Sequence, residues 1–216
     1  MLGVNDGLVS NVALVLGVAG AHPAASTVRL AGLVGLVGGA CSMAIGEFIS
    51  MKGQRELFER ELAVESEEIE AHPEAERREL QAIYIDRGAA PDVAGEVAAQ
   101  LMRDKGSALE AHARDELGLD PGQLGSPVQA GLSSFVSFAL GAVVPLVAWF
   151  FLTGPAALWL SVALTATASA TVGAVLGISA GRPAATSAAR QLLLAAIAAG
   201  ITFGVGHALG ASGIAG

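Results

Sequence analysis

The chain has 216 residues, 53% hydrophobic and only 15% charged, with 28 glycines, one cysteine and a formal net charge of −8; its mean hydropathy is +0.59. Eighteen of its 20 acidic residues lie between Lys52 and Asp120, whereas a uniformly soluble globule spreads charge over its whole surface. Net acidity excludes a nucleic-acid binder, the lone Cys41 excludes a disulfide scaffold, and what remains is a membrane protein with one acidic aqueous domain.

Crossing roughly 30 Å of hydrocarbon takes about 20 mostly apolar residues as helix. The first predicted span covers residues 2–21 and stops at His22-Pro23. It has no basic n-region and carries Asp6, so it is not a signal peptide. A second span covers 26–50. The charged stretch then predicts three helices. The first, 52–71, is rich in Glu, Leu and Arg; the second, 73–87, has Pro73 suited to its first turn. After a break at Gly88-Ala89-Ala90-Pro91, the third covers 92–117, interrupted at Gly106 and stopped at Gly118. Asp120-Pro121-Gly122 turns the chain back, and three spans follow at 128–152, 156–180 and 188–211. Their separators, Thr153-Gly154-Pro155 and Gly181-Arg182-Pro183, fit tight turns. The predicted fold is an all-α membrane protein of five transmembrane helices, with residues 1–51 holding the first two spans, 52–122 the acidic three-helix domain and 123–216 the last three.

Five spans put the 52–120 stretch and the 181–190 loop on one side, and these hold 11 of the 12 Lys and Arg residues. The positive-inside rule therefore predicts a cytoplasmic acidic domain. Trp149 and Trp159 flank the 153–155 turn as an outer aromatic belt. Glycines at i, i+4 (Gly35/Gly39, Gly173/Gly177/Gly181, Gly200/Gly204, Gly206/Gly210) predict close helix approach, and Pro145 predicts a kink. Ten Arg against two Lys, with abundant Ala and Gly, point to a GC-rich bacterial source and hence a plasma membrane.

Asp6 and Glu47 are the only acidic side chains within predicted spans, where a carboxylate costs about 2.5–3.5 kcal/mol and usually faces a cavity or an ion path. The competing reading places both near the cytoplasmic interface. Met43 lies one turn from Glu47, and a thioether beside a carboxylate suits a borderline ion such as Fe²⁺. In the acidic domain Glu65/Glu68 and Glu76/Glu79 are i, i+3 pairs, and His112/Glu116 is an i, i+4 pair. Converging, they make an oxygen-rich site with one imidazole, suited to Mn²⁺, Fe²⁺ or Co²⁺. The alternative is a solvated surface laced by ion pairs such as Glu56/Arg60 and Glu74/Arg78.

The opening Gly3-Val4-Asn5-Asp6-Gly7-Leu8-Val9-Ser10, with Leu16-Gly17-Val18-Ala19-Gly20-Ala21, resembles the first span of the vacuolar iron transporter family. Residues Ser42-Met43-Ala44-Ile45-Gly46-Glu47-Phe48-Ile49-Ser50 resemble its second span. His72-Pro73-Glu74-Ala75-Glu76-Arg77-Arg78-Glu79-Leu80, Ile83-Tyr84 and Asp115-Glu116-Leu117-Gly118-Leu119 resemble its cytoplasmic metal-binding domain, and Gly141-Ala142 with Pro145-Leu146 its third span. The resemblance implies a homodimer with the ion path between subunits, and proton-coupled export of Fe²⁺ from the cytosol. It implies Asp6 and Met43 as pathway ligands, Glu47 on the same path or in its proton coupling, and Glu65, Glu68, Glu76, Glu79 and Glu116 as carboxylates of the cytoplasmic site. His112 stands where the resemblance implies a methionine, and Ala113 where it implies a further glutamate. The resemblance also implies a short polar lead, usual in the family, before the first span, with which this sequence does not open; a ferritin-like domain such as some bacterial relatives carry is not expected.

The expected function is a non-enzymatic metal/H⁺ antiporter for Fe²⁺, and also Mn²⁺ or Co²⁺, with Zn²⁺ not separated from these. The expected partners are the metal ions, protons, the bilayer and a second copy; no prosthetic group and no nucleic acid are expected. The alternative is a membrane-tethered iron buffer or ferroxidase, although a ferritin-type di-iron site calls for Glu-x-x-His pairs and the acidic domain has Glu-x-x-Glu. A general small-molecule exporter would leave that domain without a role.

Overall fold

The computed structural model describes residues 2–118, 120 and 125–212. Eight helices are described: α1 (Leu2–Gly20), α2 (Ala25–Ala71), α3 (Pro73–Asp86), α4 (Pro91–Leu101), α5 (Lys105–Asp115), α6 (Pro127–Phe151), α7 (Gly154–Ser179) and α8 (Ala184–Ala211). They divide between two compact units, one of residues 1–48 and 128–216, the other of residues 49–127. Among the described residues, five helices (α1, α2, α6, α7 and α8) are long and apolar enough to cross a membrane.

In the first unit α1 is the most enclosed of these five, with half of its apolar window buried. Its neighbours reach it through glycine. A Cβ on Gly141 of α6 would overlap the Val4 carbonyl oxygen, and one on Gly206 of α8 would overlap that of Gly17. Gly173 and Gly177 of α7 lie close to Ser187 and Gln191 of α8, whereas Gly200 and Gly204 meet nothing within 4 Å. The small-residue pattern thus marks helix contacts at some positions and open surface at others. Val15, Ala19, Val28, Leu146, Ala148, Trp149 and Ala157 form the main apolar cluster, and Ala40, Phe138 and Ala142 a second. Outward-facing Leu30, Val34, Val37, Leu132, Leu140 and Ile201 are exposed; water would not tolerate so continuous an apolar surface, but lipid does. Pro145 lies inside α6, and the carbonyl of Pro145 accepts a 2.6 Å bond from Ser161 Oγ. Of the two tryptophans expected in a belt, Trp159 is 68% exposed, but Trp149 is 4% exposed and packs in the core instead.

The second unit differs from the expected three helices at both ends. No break separates residues 26–50 from 52–71, which are one 47-residue helix. Gly53 meets nothing within 4 Å, and a single glycine costs a helix only about 1 kcal/mol. The expected third helix divides into α4 and α5 at residues 102–104, not at Gly106. Asp104 is the reason: its side chain accepts a 2.8 Å bond from the Ser107 backbone N–H and caps α5. Gly88, Gly118, Gly154 and Gly181 carry left-handed φ, which glycine adopts without strain, at four of the predicted breaks. The return turn expected at residues 120–122, and the domain boundary at 122, fall at Pro121 and Gly122, outside the described residues.

Candidate metal centre and ion groove

Ile69, Leu80, Ala94, Ala98, Ala108 and Ala113 form the buried apolar side of the second unit. Packing around these mostly small residues buries polar groups as well: Glu65 of α2 is 3% exposed, Glu76 of α3 8% and His112 of α5 0%. His112 Nδ1 lies 3.1 Å from Glu116 Oε2, 3.2 Å from Glu65 Oε1 and 3.9 Å from Glu76 Oε2. One ring nitrogen carries at most one proton, so it cannot satisfy three carboxylates. Glu65 Oε1 accepts no hydrogen bond of normal geometry, and His112 Nε2 has no partner. Ligand atoms of Glu65, His112 and Glu116 all lie within 4.8 Å of one another. A cation among them would use the lone pairs the fold leaves unpaired.

Electrostatics agree with the geometry. Burial pushes the Glu65 carboxyl up to about 7, with the charge of Glu116 adding to the rise and His112 opposing it. Glu76 is also raised, first by burial and then by Glu79. Glu68 and Glu79 are exposed at the rim, near enough for their charges to act on Glu65 and Glu76. The carboxylates are thus gathered at a cost that a divalent ion would relieve.

A clamp that the sequence did not foretell holds the end of α5. Tyr84 Oη donates to Asp115 Oδ2 at 2.9 Å, and Arg87 donates to both the Asp115 carboxylate and, at 2.9 Å, its carbonyl. Asp115 adjoins Glu116, so the clamp fixes the end of α5 that carries His112 and Glu116. Burial, reinforced by the bond to Asp115, pushes the Tyr84 phenol up to about 12. Tyr84, the chain's only tyrosine, and Asp115 stood among the resemblance motifs, but their pairing did not show in the sequence. Of the surface pairs considered from sequence, Glu74 is joined to Arg77 and, through its carbonyl, to Arg78.

In the first unit Asp6 and Met43 line one groove of about 350 Å³ between α1 and α2, together with Ser10, Asn11, Gly35 and Ser42. Glu47 is exposed and is not among the groove's lining residues. Asn11, not singled out from sequence, is 2% exposed; its amide nitrogen donates to the Ala142 carbonyl at 2.5 Å, while its Oδ1 has no partner. An asparagine midway along an apolar span was the available signal. The side chains of Gln191 and Asn5 are hydrogen-bonded to each other.

Residues 1–207 match the VIT family. Over 151 residues, 69% of this chain and 54% of the relative, the sequence is 38% identical to a vacuolar iron transporter of Acanthamoeba castellanii. Over 169 residues, 78% of this chain and 67% of the relative, it is 34% identical to vacuolar iron transporter 1 of Oryza sativa subsp. japonica. It is also 33% identical, over 68% of this chain and 50% of the relative, to vacuolar iron transporter homolog 1 of Arabidopsis thaliana. The aligned stretch therefore spans about half to two thirds of these relatives' own lengths.

Proposed function

The chain belongs to the VIT family, and from that premise we propose that it is a multi-pass transporter that moves Fe²⁺, and also Mn²⁺ or Co²⁺, out of the cytoplasm in exchange for protons. The observation that carries the proposal is the pairing of Asp6 with Met43 along one groove between two membrane-spanning helices. A hard carboxylate and a soft thioether together suit a borderline divalent ion. Asp6 and Met43 are the transit ligands. Glu65, His112 and Glu116 capture the ion first, with Glu76 close by and Glu68 and Glu79 as a negative rim. Distribution of Lys and Arg supports a cytoplasmic position for the capture unit. His112 offers an imidazole nitrogen, a harder ligand than the methionine sulfur expected by resemblance.

Two copies related by a two-fold axis would each contribute Asp6 and Met43 to one path. The exposed apolar side of α2, including Leu30, Val34, Val37 and Ile45, supplies surface for that pairing or for lipid. Protonation of Asp6 or Glu47 from the non-cytoplasmic side lowers metal affinity and so couples proton uptake to metal release. Fe²⁺ flux into liposomes, with the pH gradient imposed and then collapsed, tests the coupling. The expected result is flux that rises with a gradient driving protons against the metal. Flux indifferent to the gradient overturns antiport, and ion binding without flux identifies a membrane-tethered buffer instead.

A further inference from the structure

The protein has four histidines, and the proposed transport path uses one of them. Two of the others, His22 and His207, are the only histidines of the membrane unit. Although 185 positions apart in sequence, their rings meet edge to face with centroids 5.6 Å apart. Both are exposed. Among the described residues, neither has a carboxylate partner. The unit's acidic side chains, Asp6 and Glu47, lie elsewhere: Asp6 is 16 residues before His22, or roughly 24 Å along a helix at 1.5 Å per residue.

The backbone shows that this meeting is built rather than incidental. His22 follows the end of α1 and its N–H donates to the Ala19 carbonyl at 3.0 Å. Its φ is +57°, the one left-handed non-glycine residue among those described. Glycine is usual at such a helix end, because a Cβ disfavours this conformation. The fold therefore places an imidazole at a helix end where glycine is the usual residue. Opposite it, α8 is pressed against α1: a Cβ on Gly20 would fall 3.1 Å from the His207 backbone nitrogen, and one on Gly210 2.8 Å from Ala21 Cα. Both ring carriers are thus fixed by backbone contact, and Pro23 restricts the residue before it.

We propose that His22 and His207 form a bis-imidazole site for a divalent transition-metal ion at the end of the bundle opposite Asp6. Metal–nitrogen bonds are about 2.0–2.1 Å, so two imidazoles sharing one ion hold their centroids roughly 5–6 Å apart. The observed separation falls in that range. Imidazole is a common ligand for such ions, and with no carboxylate beside the pair among the described residues water completes the coordination. Two neutral ligands in an exposed position bind weakly enough to release. On the transport reading, on which its role but not its existence rests, this is a site for the departing ion.

Carbethoxylation by diethyl pyrocarbonate, mapped by mass spectrometry on the full chain in liposomes at pH 7.5 with and without Zn²⁺, tests it. His22 and His207 are expected to lose reactivity together over one common range of Zn²⁺ concentration. In His22→Asn, which keeps a residue tolerant of left-handed φ, Zn²⁺ is expected to leave His207 reactive; in His207→Asn it leaves His22 reactive. Protection of neither ring in the native chain, or protection that survives in either variant, overturns the site. Fe²⁺ flux is read separately. Joint protection without flux counts against transport alone, and flux without joint protection counts against this site alone.

Discussion

The buried Glu65 carboxylate makes opposite predictions for the metal-free and metal-loaded protein. Without metal, Glu65 in the fold keeps its proton up to about pH 7, whereas an unfolded glutamate gives it up near 4.5. Between those values the folded state binds the extra proton, so stability falls as pH rises; above pH 7 the full cost of the buried charge is present. A displacement from 4.5 to about 7, at about 1.36 kcal/mol per unit, comes to about 3 kcal/mol. Glu65→Gln removes the charge, so the chelated variant is more stable than the native chain above pH 7 by up to that amount. The gain fades as pH falls toward 4.5. With Fe²⁺ or Mn²⁺ bound the order reverses, because the variant lacks a ligand. Protection factors from hydrogen exchange on the amides of α5 and the second half of α2, measured in the whole protein at pH 8 and pH 5 with and without metal, read the effect where it arises. If the chelated native chain is the better protected at pH 8, Glu65 is not an unpaired buried carboxylate and the capture site is wrongly drawn.

Three further perturbations probe the scaffold around the sites. Gly141→Ala drives a Cβ into the Val4 carbonyl and is expected to destabilise the bundle by about 1–3 kcal/mol; Gly204→Ala, with nothing within 4 Å, is expected to be neutral or stabilising in the same detergent melts. Asn11→Leu removes the bond to Ala142 and the unpartnered groove oxygen, and is expected to lower Fe²⁺ flux without lowering the melting temperature; unchanged flux would make Asn11 a helix tie only. Tyr84→Phe releases Asp115, and a net hydrogen-bond contribution of about 1 kcal/mol corresponds to roughly fivefold weaker metal binding by calorimetry.

The five spans were legible because lipid imposes a length and an apolar composition on any helix that crosses it. Breaks were legible wherever glycine or proline fixes the backbone, as at Gly88, Gly154 and Gly181. The continuity of α2 past residue 50 was not legible, because the change from apolar to charged residues ends a span without ending the helix, and exposed Gly53 weakens a helix without breaking it. The Asp104 cap decided the α4–α5 boundary, and it competes locally with Gly106 in a way composition does not rank. Trp149 and Trp159 illustrate a tertiary limit, since the two lie at similar distances from one turn and only packing separates core from surface. Spacing put Glu65/Glu68, Glu76/Glu79 and His112/Glu116 on helix faces. Which of those faces meet depends on how α2, α3 and α5 pack, and that packing brings ligand atoms of Glu65, His112 and Glu116 within 4.8 Å of one another. The meeting of His22 with His207 was invisible from sequence, because it depends on the glycine contacts between α1 and α8.

The central claim is that one groove carboxylate moves the ion and a separate carboxylate–imidazole cluster captures it. Fe²⁺ flux into liposomes, compared among the native chain, Asp6→Ala and the double variant Glu65→Ala/Glu116→Ala, tests it most directly. The expected result is flux abolished in Asp6→Ala, and reduced but recoverable at high Fe²⁺ in the double variant. Equal flux in all three proteins would contradict both assignments.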